Sequence, residues 1–220
     1  MAKRLKLRFN FVSPILGTSS ADPEIHKKFI ASKAPDAETR EAEIARIGAT
    51  EYEEKSMTVF PRSEATGQPV ILQYQVKGFF KEACASLQKC KSDGKAEPFA
   101  KHSCGIKAYK KYIDQTVFPE QAEIPINFEG EMDVYQRPLR GQTAQGERIA
   151  LASSERIPAG AWIEFSVICL TNDVVPAVIE WIEYGKLRGM MQFRNGYFGR
   201  FKYTMEIEDI KELPDIAEIA

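Results

Sequence analysis

Histidine and cysteine are scarce in this chain of 220 residues, which has two histidines and four cysteines. His26 and His102 leave little material for imidazole-rich metal or acid–base sites. Cys84, Cys90, Cys104 and Cys169 are too scattered for a disulfide framework and read as reduced thiols of a cytoplasmic protein. No apolar run approaches the ~20 residues that a membrane span needs, so no membrane partner is expected. The opening Met1-Ala2-Lys3-Arg4-Leu5-Lys6-Leu7 alternates polar and apolar residues and lacks the apolar centre of a signal peptide. Phosphate-binding Walker, dinucleotide and serine-elbow motifs are absent as well, and no cofactor is expected.

What is present is segregated charge. The net charge of −1 averages over strongly basic and acidic stretches. Residues 1–12 carry Lys3, Arg4, Lys6 and Arg8 without an acid, and residues 186–203 carry Lys186, Arg188, Arg194, Arg200 and Lys202 without one. Residues 86–112 hold seven lysines against Asp93 and Glu97. Such runs are either solvated faces or a basic surface for a polyanion.

Periodicity outlines the elements. Leu5, Leu7, Phe9 and Phe11 alternate with basic and polar residues, which predicts a half-buried strand. Two helices are expected near 23–31 and 36–47. Short strands at 56–60 and 69–74 flank a turn at Ser63–Gly67 and suggest a hairpin. An apolar stripe of Val76, Phe79, Phe80, Ala83, Cys84 and Leu87 predicts a helix over 76–90. Residues 91–124 read as a lysine-rich, irregular insertion, 126–134 as a strand and 136–156 as a polar loop. A strand at 162–170 precedes a helix at 174–185, capped by Asn172 or Asp173 and stopped by Gly185. A last strand starts at Phe201. The order suits a single α+β domain over 1–220, with an antiparallel sheet and helices on one face.

Four segments in this order resemble the RAMP superfamily, and especially its guide-RNA backbone subunits. They are Leu7-Arg8-Phe9-Asn10-Phe11 with the Ser13–Thr18 loop, Tyr74–Ala83 with its Lys77-Gly78 pair, the Pro158-Ala159-Gly160 turn into Trp162–Val167, and the glycine-bearing loop Gly189–Phe201. The chain departs from the family where a glycine-serine-serine becomes Gln73-Tyr74-Gln75, and in a final loop holding only Gly189, Gly196 and Gly199. It thus resembles a divergent member. The resemblance implies a ferredoxin-like (RRM-like) sheet and binding of single-stranded guide RNA. It also implies partnership with other CRISPR effector subunits and copies of the chain lined along the RNA.

The candidate RNA-binding residues follow. In the loop, glycines let backbone N–H groups approach phosphate, Arg188, Arg194 and Arg200 add charge, and Tyr197 and Phe198, with Phe193, offer stacking faces. The alternative is a glycine-bearing hairpin with core aromatics. Lys77 and Gly78 at a helix start suit a phosphate, unless Lys77 is an ordinary exposed lysine. Lys6 and Arg8 line the basic face of the first strand. Cys84, Cys90, His102 and Cys104 are of zinc-binding type, but their spacing matches no standard finger. Asp22 and His26 are the candidate acid–base residues, because some RAMP relatives cleave RNA with a histidine or aspartate near the N-terminus. General acid–base cleavage needs a second aligned group that the sequence does not supply, so a binding protein is expected over an enzyme. Two alternatives to a guide-RNA coat remain. One is a mobile-element (anti-CRISPR) protein that mimics a subunit and docks on the machinery, and the other is an endoribonuclease.

Overall fold

The computed structural model describes residues 1–21, 57–143 and 146–214, with side chains left aside for 139–150. The helices expected near 23–31 and 36–47 lie outside the described residues, as do Asp22 and His26.

Strand β1 (Ala2–Phe11) is the centre of the molecule. Its alternation buries Leu5, Leu7, Phe9 and Phe11 completely or nearly so. It pairs antiparallel with β12 (Trp162–Cys169) on one side and β13 (Phe201–Ile210) on the other. The short β8 (Val117–Pro119) adds to β12, also antiparallel. The spatial order is β13-β1-β12-β8, so the four strands stand fourth, first, third, second by chain position. Helix α1 (Gln73–Leu87) lies between the first and second of these in the chain, and a later helix, α4 (Val175–Arg188), between the third and fourth. Both helices bring apolar residues to the sheet. Val76, Phe79, Phe80, Val178, Trp181 and Ile182 join β1 in one core, where Phe9 stacks on Phe201 at 4.1 Å.

Both helices shift from their expected ends. Helix α1 starts at Gln73, where the Gln75 side chain accepts the N–H of Leu72 at 2.8 Å and closes the first turn. Helix α4 is entered through a 3-10 turn, Asn172–Val174, and neither Asn172 nor Asp173 caps it with its side chain. Gly185 does not stop α4. It lies buried in the last turn of α4, where only glycine fits, since a Cβ there would meet the Phe79 and Phe201 rings at 2.5 and 2.6 Å. The stop is Gly189, at φ +78°.

The stretch 91–124 is ordered rather than irregular. It holds the hairpin β6–β7 (Lys91–Ser92, Lys95–Ala96), helix α2 (Lys101–Gly105) and helix α3 (Tyr109–Thr116), then β8 and β9 (Glu123–Pro125). Its end therefore belongs to the sheets. The turn at Ser63–Gly67 is closed by backbone bonds from Val70 N–H to the Pro61 carbonyl and from Ser63 N–H to the Gln68 carbonyl, at 2.9 Å each, but the flanking strands take other partners. Of them, β4 (Thr58–Val59) pairs with β3 (Ser19–Ser20), and β5 (Val70–Leu72) pairs with β9; one bridge, Arg62 to Pro69, links the two stretches. Of the expected strand at 126–134, Asn127 bridges Trp162 of the central sheet, and Asp133 and Val134 pair with Arg156 and Glu155 in a second sheet.

The largest departure is the expected polar loop. Residues 133–143 and 146–157 form the two arms of a long antiparallel hairpin, β10 (Asp133–Thr143) and β11 (Gly146–Ile157). At its base, β11 pairs with β2 (Ile15–Leu16) and β4. Glu155 fastens this base by accepting the Phe60 N–H at 2.9 Å and an Arg62 N–H at 2.7 Å.

Candidate nucleic-acid interface

Loop 189–200 connects α4 to β13 and is unusually left-handed. Positive φ occurs at Gly189, Met191, Phe193, Tyr197 and Gly199. At Gly199 this is obligatory, since φ is +73° and a Cβ would lie 1.9 Å from the Met190 carbonyl oxygen. The loop is pinned to the end of β1. Gly199 N–H donates to the Pro14 carbonyl at 2.9 Å, Arg200 N–H to Ser13 Oγ at 2.8 Å, and Val12 N–H to the Arg200 carbonyl at 2.9 Å. Two glycine-bearing loops from opposite ends of the sequence thus meet.

The same loop meets one face of the long hairpin. Tyr135 pairs with Ser154 across β10 and β11, and Arg137 with Ala152, so these residues share a face. Tyr135 packs on Phe198 at 4.9 Å, and Phe193 on Phe198 at 5.6 Å. The Arg137 guanidinium covers the Phe193 ring at 3.7 Å, and that of Arg200 covers the Tyr197 ring at 4.1 Å. Tyr197 is itself 64% exposed. The Nε atoms of Arg137 and Arg200 are buried with no hydrogen-bond partner among the described residues. Arg156, 5.7 Å from the Tyr135 ring, is held by Asp133, whose carboxyl this guanidinium keeps below the usual range. Beside the cluster, Gln192 Oε1 lies 2.9 Å from Ser154 Oγ and 3.1 Å from Thr58 Oγ1. Stacked guanidinium and aromatic planes at a strand–loop junction can receive nucleobases and hold phosphates.

Some of the residues singled out in the sequence meet here. Tyr197, Phe198, Gly199 and Arg200 belong to the cluster, and Gly196 packs against the Phe193 ring. Arg188 and Arg194 lie in the same loop region, but both pair with Glu82 of α1. Lys77 and Gly78 are placed elsewhere. They occupy the second turn of α1, so their N–H groups are not at its start, a correction that follows from the helix beginning at Gln73. The Lys77 ammonium sits 4.5 Å over the Phe118 ring, and burial lowers its pKa against the pull of Asp114. Lys6 and Arg8 lie on the outer face of the sheet, where Glu208 and Glu164 neutralise them, so that face is mixed in charge rather than basic.

Nothing in the sequence singles out Tyr135, Arg137 and Arg156 beyond the alternate spacing of Asp133, Tyr135 and Arg137. Among the described residues no group of three or more His, Cys, Asp or Glu side chains is placed to hold a metal. Cys84 is buried in the core, which pushes its thiol up to about 11, and Cys104 Sγ faces the carbonyls of Leu87 and Cys90 at 3.4 and 3.7 Å. His102 is exposed, and among the described residues Cys84, Cys90, His102 and Cys104 are not grouped to hold a metal.

No protein-family model matches the chain, and no curated protein does. Among solved structures, the chain is similar to one in the cryo-EM structure of the Type III-B Cmr-beta bound to cognate target RNA. The TM-score is 0.54 at 8% sequence identity, over 94% of this chain and 60% of that chain. The likeness is one of fold, and this chain spans about 60% of the neighbour's length. No helix among the described residues is long and apolar enough to cross a membrane.

Proposed function

We propose that this protein is a RAMP-type RNA-binding protein of CRISPR-related function, in which the junction of the β10–β11 hairpin and loop 189–200 holds single-stranded guide RNA. The observation that carries this reading is the interleaved cluster of Tyr135, Phe193, Phe198 and Tyr197 with Arg137 and Arg200. Flat guanidinium and aromatic faces suit unpaired bases, while loop glycines admit the sugar-phosphate chain. The strand order and the helices between its pairs support a ferredoxin-like sheet. The fold likeness to a chain of the RNA-bound Cmr-beta supports a place in a cytoplasmic effector complex. There the chain would meet other effector subunits and further copies of itself along the RNA.

The test is nucleic acid carried through purification without nuclease. RNA of discrete length in a large particle, released by salt, is the expected result. The neutralisation of Lys6, Arg8, Arg188 and Arg194 by Glu208, Glu164 and Glu82 favours one rival, a subunit mimic that docks on the machinery without RNA. A nucleic-acid-free monomer that binds effector subunits would establish the rival.

A further inference from the structure

Many basic side chains of this molecule are matched internally. Lys3 pairs with Asp209, Lys6 with Glu208, Arg8 with Glu164 and Arg194 with Glu82. The lobe that follows α1 is different. Lys89, Lys91, Lys95 and Lys101 are exposed, and none of them makes an ion pair with a described residue. The only acids in 86–112 are Asp93 and Glu97. Phe99, in the same lobe, is 61% exposed.

The lobe presents these groups on a fixed frame. Asp93 and Gly94, both at positive φ, turn the β6–β7 hairpin tightly. Glu180 of α4 anchors α2, accepting the N–H groups of His102 and Ser103 at 2.8 Å each and the Ser103 hydroxyl at 2.5 Å. The Trp181 indole adds a bond to Ser103 Oγ at 3.1 Å.

One stripe of α1 leads from the loop to the lobe. Glu82 and Ser86, at i and i+4, share one face of α1, which ends at Leu87, and Lys89 follows in the turn whose N–H donates to the Ser86 carbonyl at 3.1 Å. Glu82 holds Arg188 and Arg194 of the loop region, and the end of α1 at Leu87, where the lobe begins, lies roughly 8 Å further along the helix axis at the α-helical rise. Ala85 and Ser86 keep the stripe low between these ends.

We propose that this lobe is a second contact surface for the same single-stranded RNA, on which Lys89, Lys91 and Lys95 hold phosphates beyond loop 189–200. The proposal rests on the RNA-binding reading and extends it. Lysines are point charges without the planar fork of arginine, so the lobe adds affinity for length without reading bases.

The test uses the full chain, with fluorescein-labelled oligouridine of about six and about twenty nucleotides followed by anisotropy across a salt series. Lys89→Glu, Lys91→Glu and Lys95→Glu are combined in one variant, with an unchanged melting temperature as the check on folding. Wild type binds the longer RNA at least roughly tenfold tighter, the variant loses that gain, and its salt slope falls by about two. The shorter RNA binds both proteins alike. A variant that keeps the long-RNA gain overturns the proposal and leaves the loop-and-hairpin site standing. Conversely, Arg137→Ala with undiminished binding of both lengths removes that site while the lobe stands. Poly-glutamate that competes as well as RNA of equal charge also overturns the proposal, in favour of an acidic protein partner.

Discussion

The guanidinium of Arg137 lies 3.7 Å from the centroid of the Phe193 ring and joins the long hairpin to the loop before the last strand. Its Nε is buried with no hydrogen-bond partner among the described residues, so among them the side chain is held by stacking more than by hydrogen bonds. Loss of an aromatic or arginine stacking platform costs about 1–3 kcal/mol per base, roughly five- to hundredfold in affinity. Arg137→Ala is expected to weaken single-stranded RNA binding by that factor, and Arg137→Lys to recover only part of it, because an ammonium lacks the flat face. Anisotropy titration measures both. Equal affinity for all three proteins would take the cluster out of the interface.

The central sheet is legible in the sequence because its strands bury one face. Leu5, Leu7, Phe9 and Phe11 in β1, with Ile163, Phe165, Val167 and Cys169 in β12, mark a period of two that only a half-buried strand needs. The hairpin β10–β11 carries no such signal. Val134 is exposed and Tyr135, Gln136 and Arg137 are polar or amphipathic, so its register is set by backbone pairing between β10 and β11 and not by a buried face. Loop 189–200 stands out by its glycines and arginines, but its docking on Tyr135 and Arg137 is a tertiary event. The neutralisation of Lys6 and Arg8 is equally hidden, because Glu208 and Glu164 become their neighbours only through strand pairing.

Glu180 is a nearly buried carboxylate whose partners are the donors at the start of α2 and the Ser103 hydroxyl. Removing it leaves those donors unpaired in the interior, which costs about 2–4 kcal/mol. Glu180→Ala is expected to lower the melting temperature by roughly 5–15 °C, with Glu180→Gln milder because one oxygen still accepts. Thermal unfolding followed by circular dichroism reads the difference. A melting temperature within error of wild type would mean that the lobe is not anchored there.

Gly199 has no room for a side chain, with the Met190 carbonyl oxygen 1.9 Å from an added Cβ and φ at +73°. Gly199→Ala must therefore move the loop off the end of β1 and break the Gly199 bond to Pro14. Destabilisation of about 1–3 kcal/mol is expected, with loss of RNA affinity in the protein that remains folded. Gly160 is the control, since it also has positive φ but nothing within 4 Å of an added Cβ. Gly160→Ala is expected to carry only the backbone strain and to leave RNA affinity intact.

The Tyr203 hydroxyl donates to Glu183 Oε1 at 2.6 Å, which ties β13 to α4. Partial burial, reinforced by that carboxylate, pushes the phenol up to about 12. An unfolded tyrosine titrates near pH ~10, so the folded state keeps its proton after the unfolded chain has lost it. With the native state binding more protons, stability must fall as pH rises. The contribution is therefore intact below about pH 10 and is lost as pH climbs to about 12. Tyr203→Phe, which does not ionise, is expected to be less stable than wild type at neutral pH and to lose that deficit across this window. Urea unfolding midpoints of the two proteins, measured at several pH values, test it. A gap that stays constant with pH would mean that the hydroxyl titrates alike in both states and that its bond to Glu183 does not hold the strand to the helix.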